Sequence, residues 1–218
     1  YIPLTIGSTS RQASYVSSGS TSTSLLFRYT VPIGDYDNNG ITVTSPISGT
    51  IKDAATNNAN LTFTNGGSNL TGINVNGKNP SVLSVVITPG YYKTGDDLDI
   101  TVNYDQVLTK SGTSGTASIP ITLNTGGTVN ANLVYSVPTS ALTFRYTVVS
   151  TNLDLDGITL ASSIVLTGNT ALKYSTNNAD LTLTATAFPN VFVDGVNPTV
   201  SSVTAPTSGY YVAGSNLD

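Results

Sequence analysis

Apolar and polar side chains alternate along several stretches of the chain, and a period of two marks a strand with one face buried and one face wet. Leu98, Ile100, Val102 and Tyr104 fall on one side of such a stretch, with Asp97, Asp99, Thr101 and Asn103 on the other. Leu142, Phe144, Tyr146 and Val148 oppose Thr143, Arg145 and Thr147 in the same way. A third stretch sets Leu25, Phe27, Tyr29 and Val31 against Leu26, Arg28 and Thr30. These three apolar sets are the predicted core. Further strands are expected near residues 82 to 88, 119 to 123, 129 to 135, 157 to 166 and 179 to 186, separated by turn-forming clusters of Gly, Asn, Asp and Pro. That density of short strands predicts an all-β fold of antiparallel β-sandwiches.

The pattern is duplicated. Ile2-Pro3-Leu4-Thr5-Ile6 returns as Ile119-Pro120-Ile121-Thr122-Leu123, and Leu25 to Val31 returns as Leu142 to Val148, both after 117 positions. Thr56 to Thr62 recurs at Thr176 to Thr182, Asn79-Pro80-Ser81-Val82 at Asn197-Pro198-Thr199-Val200, and Gly90-Tyr91-Tyr92 at Gly209-Tyr210-Tyr211. A fixed offset of this size reports tandem units. With Asn-Pro as the junction, residues 1–78 form a unit without its opening strands, 79–196 a complete unit, and 197–218 the opening of a further one. The absent stretch corresponds to Ile100 through Ala117. The short junctions end in Pro, which favours a stiff rod over beads on a string. The start, Tyr1-Ile2-Pro3-Leu4, reads as that of a processed or excised piece.

Composition narrows the chemistry. Thr supplies 35 residues and Ser 26, there is no Glu, and only 9 % of positions are charged, which suits strands and turns and nearly excludes long surface helices. Cys, His, Met and Trp are all absent, so no Ser-His-Asp triad, no Cys nucleophile and no zinc site of His or Cys can be built. A net charge of -4 with five Lys and three Arg scattered along the chain gives no basic stripe for nucleic acid. No apolar run reaches the length of a membrane span.

Pro89-Gly90-Tyr91-Tyr92-Lys93-Thr94-Gly95-Asp96-Asp97-Leu98-Asp99-Ile100-Thr101-Val102, followed by Ile119 to Asn124, Leu142 to Val148 and Asp154-Leu155-Asp156-Gly157-Ile158, resembles the tandem immunoglobulin-like repeats of very large bacterial surface and adhesin proteins. The resemblance covers both copies. It implies tandem immunoglobulin-like antiparallel β-sandwich domains, export, an extracellular place at the cell surface, and no catalytic residues. The expected role is a non-enzymatic spacer or scaffold in an adhesin stalk or filament, whose partners are neighbouring repeats or copies of the same protein, head to tail. A fibre subunit joined by strand donation from residues 197–218 is the alternative of a different class. A carbohydrate- or receptor-binding module is the other, with surface glycans stacking on Tyr91-Tyr92 or Tyr210-Tyr211; packing at the junction is the plainer reading of those pairs.

Two loops have the start of a calcium site. Asp35-Tyr36-Asp37-Asn38-Asn39-Gly40 spaces Asp35, Asp37 and Asn39 at alternate positions before a Gly turn, and Asp154 and Asp156 repeat the arrangement before Gly157. Against Ca²⁺ stands Ile41 at the seventh position, with Pro46 at the twelfth where an acid would close the loop. An Asx-rich turn explains the same residues. Asp96, Asp97 and Asp99 beside Lys93 read as a charged sheet surface or a second ion site, and Lys52 with Lys173 as solvated lysines or isopeptide donors.

Overall fold

The computed structural model describes residues 1–64, 68–134 and 138–218, and these contain strands and turns but no helix. The first copy of the repeat carries β1 (Ile2–Ile6), β2 (Thr9–Val16), β3 (Leu26–Arg28), β4 (Tyr36–Asp37), β5 (Ile41–Val43), β6 (Ser68–Leu70) and β7 (Val75–Asn76). The second opens with β8 (Val82–Ile87), β9 (Gly90–Lys93), β10 (Asp97–Ser111), β11 (Ala117–Leu123), β12 (Gly127–Val134) and β13 (Thr139–Thr147). It continues with β14 (Leu153–Asp154), β15 (Ile158–Leu160), β16 (Val165–Leu166), β17 (Ala171–Tyr174), β18 (Asn177–Asn178), β19 (Ala187–Phe188) and β20 (Val191–Asp194). The molecule is all-β, and every ladder between these strands is antiparallel except β9 with β20.

One five-strand order is built twice. In the first copy it runs β3-β2-β1-β5-β6, and in the second β13-β12-β11-β15-β19. Beside each lies a short pair, β4 with β7 and β14 with β20. The registers agree as well: Ile2 faces Ala13 and Tyr15 faces Phe27, as Ile119 faces Ala131 and Leu133 faces Phe144. To this shared plan the second copy adds β10 against β13, β8 against β10, and β9 against β20.

β10 is the spine of the second copy. Its first half alternates as the sequence predicts, with Leu98, Ile100, Val102 and Tyr104 buried. The ladder to β13 slips between Asn103 and Leu108, and Thr109 to Ser111 then pair with β17 instead. Across that slip β10 advances three residues more than β13, and extra residues in one strand bend it and let a single strand serve two ladders. Phe144, Ile119, Ile121, Ile158, Leu172, Val191 and Val193 close on this spine in one continuous core.

The equivalent positions of the first copy are not closed. Val148 is 1 % exposed and its equivalent Val31 is 44 % exposed; Val191 is 2 % exposed and Ile73, its equivalent, 52 %. Leu25, Phe27, Tyr29 and Val31 were expected in a core, yet Leu25 and Val31 are exposed and Phe27 and Tyr29 half-buried. Alternation tells which side chains share a face of a strand; it cannot tell whether a second layer covers that face. Among the described residues no counterpart of β10 lies beside β3. Two strand expectations also need correction. The 157–166 stretch is two short strands, β15 and β16, and 179–186 contains only an isolated bridge between Thr182 and Ser163. The 129–135 strand is β12, with Tyr135 outside the described residues.

Candidate functional site

The aspartates singled out for calcium are all placed by the turn that joins the five-strand sheet to the short pair. Asp35 is buried, and Arg11 on β2 grips it through two nitrogens, Nη2 to Oδ1 at 2.5 Å and Nε to Oδ2 at 3.0 Å. The Tyr29 hydroxyl donates to the second oxygen. The Arg11 guanidinium, with Tyr29 second, holds the Asp35 carboxyl below the usual carboxylate range, while burial and the adjacent carboxylate push the Tyr29 hydroxyl up. In the second copy the equivalent pair is neutral: Tyr146 donates to the amide oxygen of Asn152 at 2.5 Å. The tyrosine-to-turn contact is therefore common to both copies, and the ion pair belongs to the first alone.

Asp37, also buried, accepts from the backbone N–H of Gly7 at 2.6 Å and of Asn39 at 3.1 Å. Asp154 repeats the first bond, from Asn124 N–H at 3.3 Å, and takes its second from Gly157 N–H at 3.1 Å, one residue further along than Asn39. Each aspartate thus clasps the β1–β2 or β11–β12 turn onto the next loop and caps its own Asx turn. The clasps titrate in opposite directions. The Gly7 N–H holds Asp37 below its ordinary value, whereas burial and the neighbouring charge of Asp156 push Asp154 up. Asn39 stands where Asp156 stands, so the first copy carries no second charge at that position.

Asn39 and Asp156 are exposed, and Asp156 accepts from Asn124 Nδ2 at 2.6 Å. A hard cation needs six or more oxygens turned towards it. Here the buried oxygens are engaged by N–H, guanidinium and hydroxyl donors, and among the described residues no three acidic side chains gather. The donor set fits a hydrogen-bonded turn better than a calcium cage.

The remaining candidates resolve locally. Asp97 and Asp99 flank Arg145 on the wet face, with Arg145 Nη1 to Asp97 Oδ2 at 3.0 Å and Nε to Asp99 Oδ1 at 2.7 Å. Asp96 caps the turn at Lys93 through the Lys93 N–H at 3.0 Å. Lys52 and Lys173 lie on equivalent short ladders, opposite Asn58 and Asn178, and Lys52 is exposed. Tyr92 is half-buried against the core, while Tyr91 is exposed with its ring on Phe192 at 4.7 Å between centroids.

The unit expected to lack its opening strands has open edges, and the groove along them was not foreseen. Tyr1, Tyr15, Leu25, Phe27, Ile47 and Ile51 line a mostly apolar groove of about 330 Å³, with Tyr15 edge-on to Phe27. Arg28, the equivalent of Arg145, forms no ion pair among the described residues. Arg11 was also missed as the partner of Asp35; only its place on the strand opposite could have signalled it. Residues 197–218 form no strand and are exposed throughout. Comparison with known protein families, with curated proteins and with solved structures finds no match.

Proposed function

We propose that this chain is a non-catalytic structural repeat, a spacer in an extracellular stalk or filament at a bacterial surface. The observation that carries the reading is the duplication of one five-strand order with its registers and its aspartate clasp. Serial copies of one sheet plan add reach, whereas a catalytic site gains little from repetition. The clasps suit such a role, since each ties a turn to the neighbouring loop with charge-assisted bonds. On this reading the immunoglobulin-like repeats that the sequence resembles supply the architecture. Calcium is not required, because hydrogen bonds already hold the loops.

Small-angle scattering tests the reading. At roughly 40 to 50 Å per sandwich, set by strand rise and length, two units in line give a maximum dimension of about 80 to 100 Å and an elongated profile. A compact profile with the two copies folded side by side would remove the spacer reading. The glycan alternative keeps one supporting feature, the exposed Tyr91 ring on Phe192. It predicts that Tyr91→Ala abolishes retention on a glycan array, and a chain that is never retained there counts against it.

A further inference from the structure

We propose that residues 209–218 of one copy of this chain dock on a second copy, adding a parallel strand to β7 and setting Leu217 against Tyr29 and Asp218 against Arg28. The proposal rests on the scaffold reading and names its joint. Its template is inside the molecule. β9 runs parallel to β20, with Gly90 beside Val191, Tyr91 beside Phe192, Tyr92 beside Val193 and Lys93 beside Asp194. The chain then turns, and its backbone exchanges two bonds with Val148: Gly95 N–H to the Val148 oxygen at 2.9 Å, and Val148 N–H to the Asp96 oxygen at 3.0 Å. It enters β10 with Leu98 beside Tyr146 and Asp99 beside Arg145.

Several receiving positions have an equivalent left open in the first copy, although Val75, the equivalent of Val193, is buried and Tyr29, the equivalent of Tyr146, half-buried. Among the described residues β7 pairs with β4 along one side only. Ile73 and Val31, equivalents of Val191 and Val148, are exposed, and among the described residues Arg28 forms no ion pair. The equivalent register puts Gly209 beside Ile73, Tyr210 beside Asn74, Tyr211 beside Val75 and Val212 beside Asn76.

The donor is already shaped. The Tyr92 hydroxyl donates to the Thr88 oxygen at 2.8 Å, and the Tyr211 hydroxyl to the Thr207 oxygen at 2.7 Å. Asp96 N–H bonds the Lys93 oxygen at 3.0 Å, and Ser215 N–H the Val212 oxygen at 2.9 Å. Gly95 and Gly214 share a left-handed φ, 90° and 95°. These turns form in residues 207–215 with no sheet beside them, which lowers the ordering entropy of docking. Leu217, 63 % exposed, equals the fully buried Leu98. Strand addition to an open edge draws affinity from main-chain bonds and register from alternate side chains.

A second copy is the occupant because of how the chain already uses this segment. After β7 the chain does not fold back on β7; it runs through β8 and β9, and β9 packs forward on β20 of the following copy. The segment 209–218 carries the donor's pattern and the β7 edge the receiver's, so a second copy of this chain holds the matching half of each. Three contacts of the template have no equivalent, the first being the ion pair of Arg145 with Asp97, where the donor segment has the neutral Asn216. Ala213 replaces Thr94, which donates to the Gly195 oxygen at 2.8 Å, and Asn74 replaces the Phe192 that Tyr91 stacks on.

The chain has no cysteine, so paired variants read the register directly. Mixing Asn74→Cys with Tyr210→Cys under mild oxidation should give a mixed disulfide dimer, while Asn74→Cys with Tyr211→Cys, one residue out of register, should give background only. The double variant Asn74→Cys, Tyr210→Cys should give dimers and longer ladders on a non-reducing gel. Equal yield from both pairs, no dimer at any concentration, or an internally bridged monomer overturns the proposal. In sedimentation velocity, Asp218→Lys should weaken self-association roughly two- to five-fold, as an exposed ion pair does, and adding Arg28→Asp to the same chain should restore it. A failed cross-link leaves an elongated scattering profile intact, and a compact profile beside a register-specific cross-link would sink the spacer reading alone.

Discussion

Burial, together with one change of residue type between equivalent positions, sets the electrostatics of the two clasps apart. Asp37 and Asp154 each accept two backbone bonds, yet burial pushes the second carboxyl up, and Asp156, where the first copy has the neutral Asn39, adds to the push. An aspartate whose folded value is raised loses stability as pH climbs through the window above the ordinary 3.8. Asp156→Asn should therefore raise the thermal midpoint of the second copy at pH 7, with the gain vanishing near pH 3 where Asp154 is protonated in both forms. Asp35 has the opposite sign. Its folded value is depressed from 3.8, so its contribution is present above that value and is lost as pH falls below it. Asp35→Asn, which installs the residue found at Asn152, should keep the Tyr29 contact, lose the Arg11 pair and lower the midpoint at pH 7. Thermal melts of the variant and the parent chain should converge on acidification; a gap that persists at pH 2 would mean that packing, not charge, set the difference.

At the scale of an element, one strand sequence has two fates. Leu-x-Phe-Arg-Tyr-Thr-Val is β13 with its flank in one copy and β3 with its flank in the other, but β13 has β10 on its second side and β3, among the described residues, has no strand there. Phe144 is fully buried and Phe27 half-buried at the rim of the groove. Truncating a fully buried Phe costs about 3–5 kcal/mol, because apolar transfer and the residual cavity add. Phe144→Ala should show that loss in urea unfolding, and Phe27→Ala less than half of it. Equal losses would mean that the first copy's core is covered in solution. Gly157 is fixed by its turn, with φ 104° and a would-be Cβ only 2.5 Å from Pro189 Cα, so the loop carrying Asp154 accepts no side chain there.

Across the whole molecule the two copies differ in completeness. One continuous core joins β8 through β20, and buried apolar residues of the first copy are few: Leu4, Ile6, Ala13 and Val75. Few polar bonds tie the copies together, Asn76 Nδ2 to Gln106 at 2.8 Å and Asn177 Nδ2 to the Asn76 oxygen at 2.9 Å among them. Local stability follows buried apolar contact. Amide exchange at low protein concentration should thus be slow through residues 98–104 and 142–147, and faster by orders of magnitude at 26–28 and 41–43. Raising the concentration should slow exchange at 73–76 first if copies join there. Uniform protection of both copies at low concentration would contradict this picture.

The strands of the second copy were legible because alternation and the turn residues act locally, and repetition revealed the architecture because equivalent sequences meet equivalent packing. Residue type alone also marked Asp37 and Asp154 as loop-forming. The sequence could not say whether their oxygens face a cation or an N–H, because Gly7 and Asn124 come from a different part of the sheet. Nor could it say that Arg11 would reach Asp35, 24 positions away. Whether an apolar face lies covered is a property of neighbours brought from elsewhere in the chain. That is why Leu142 and Leu25, alike in sequence, part company only once β10 takes its place beside one of them.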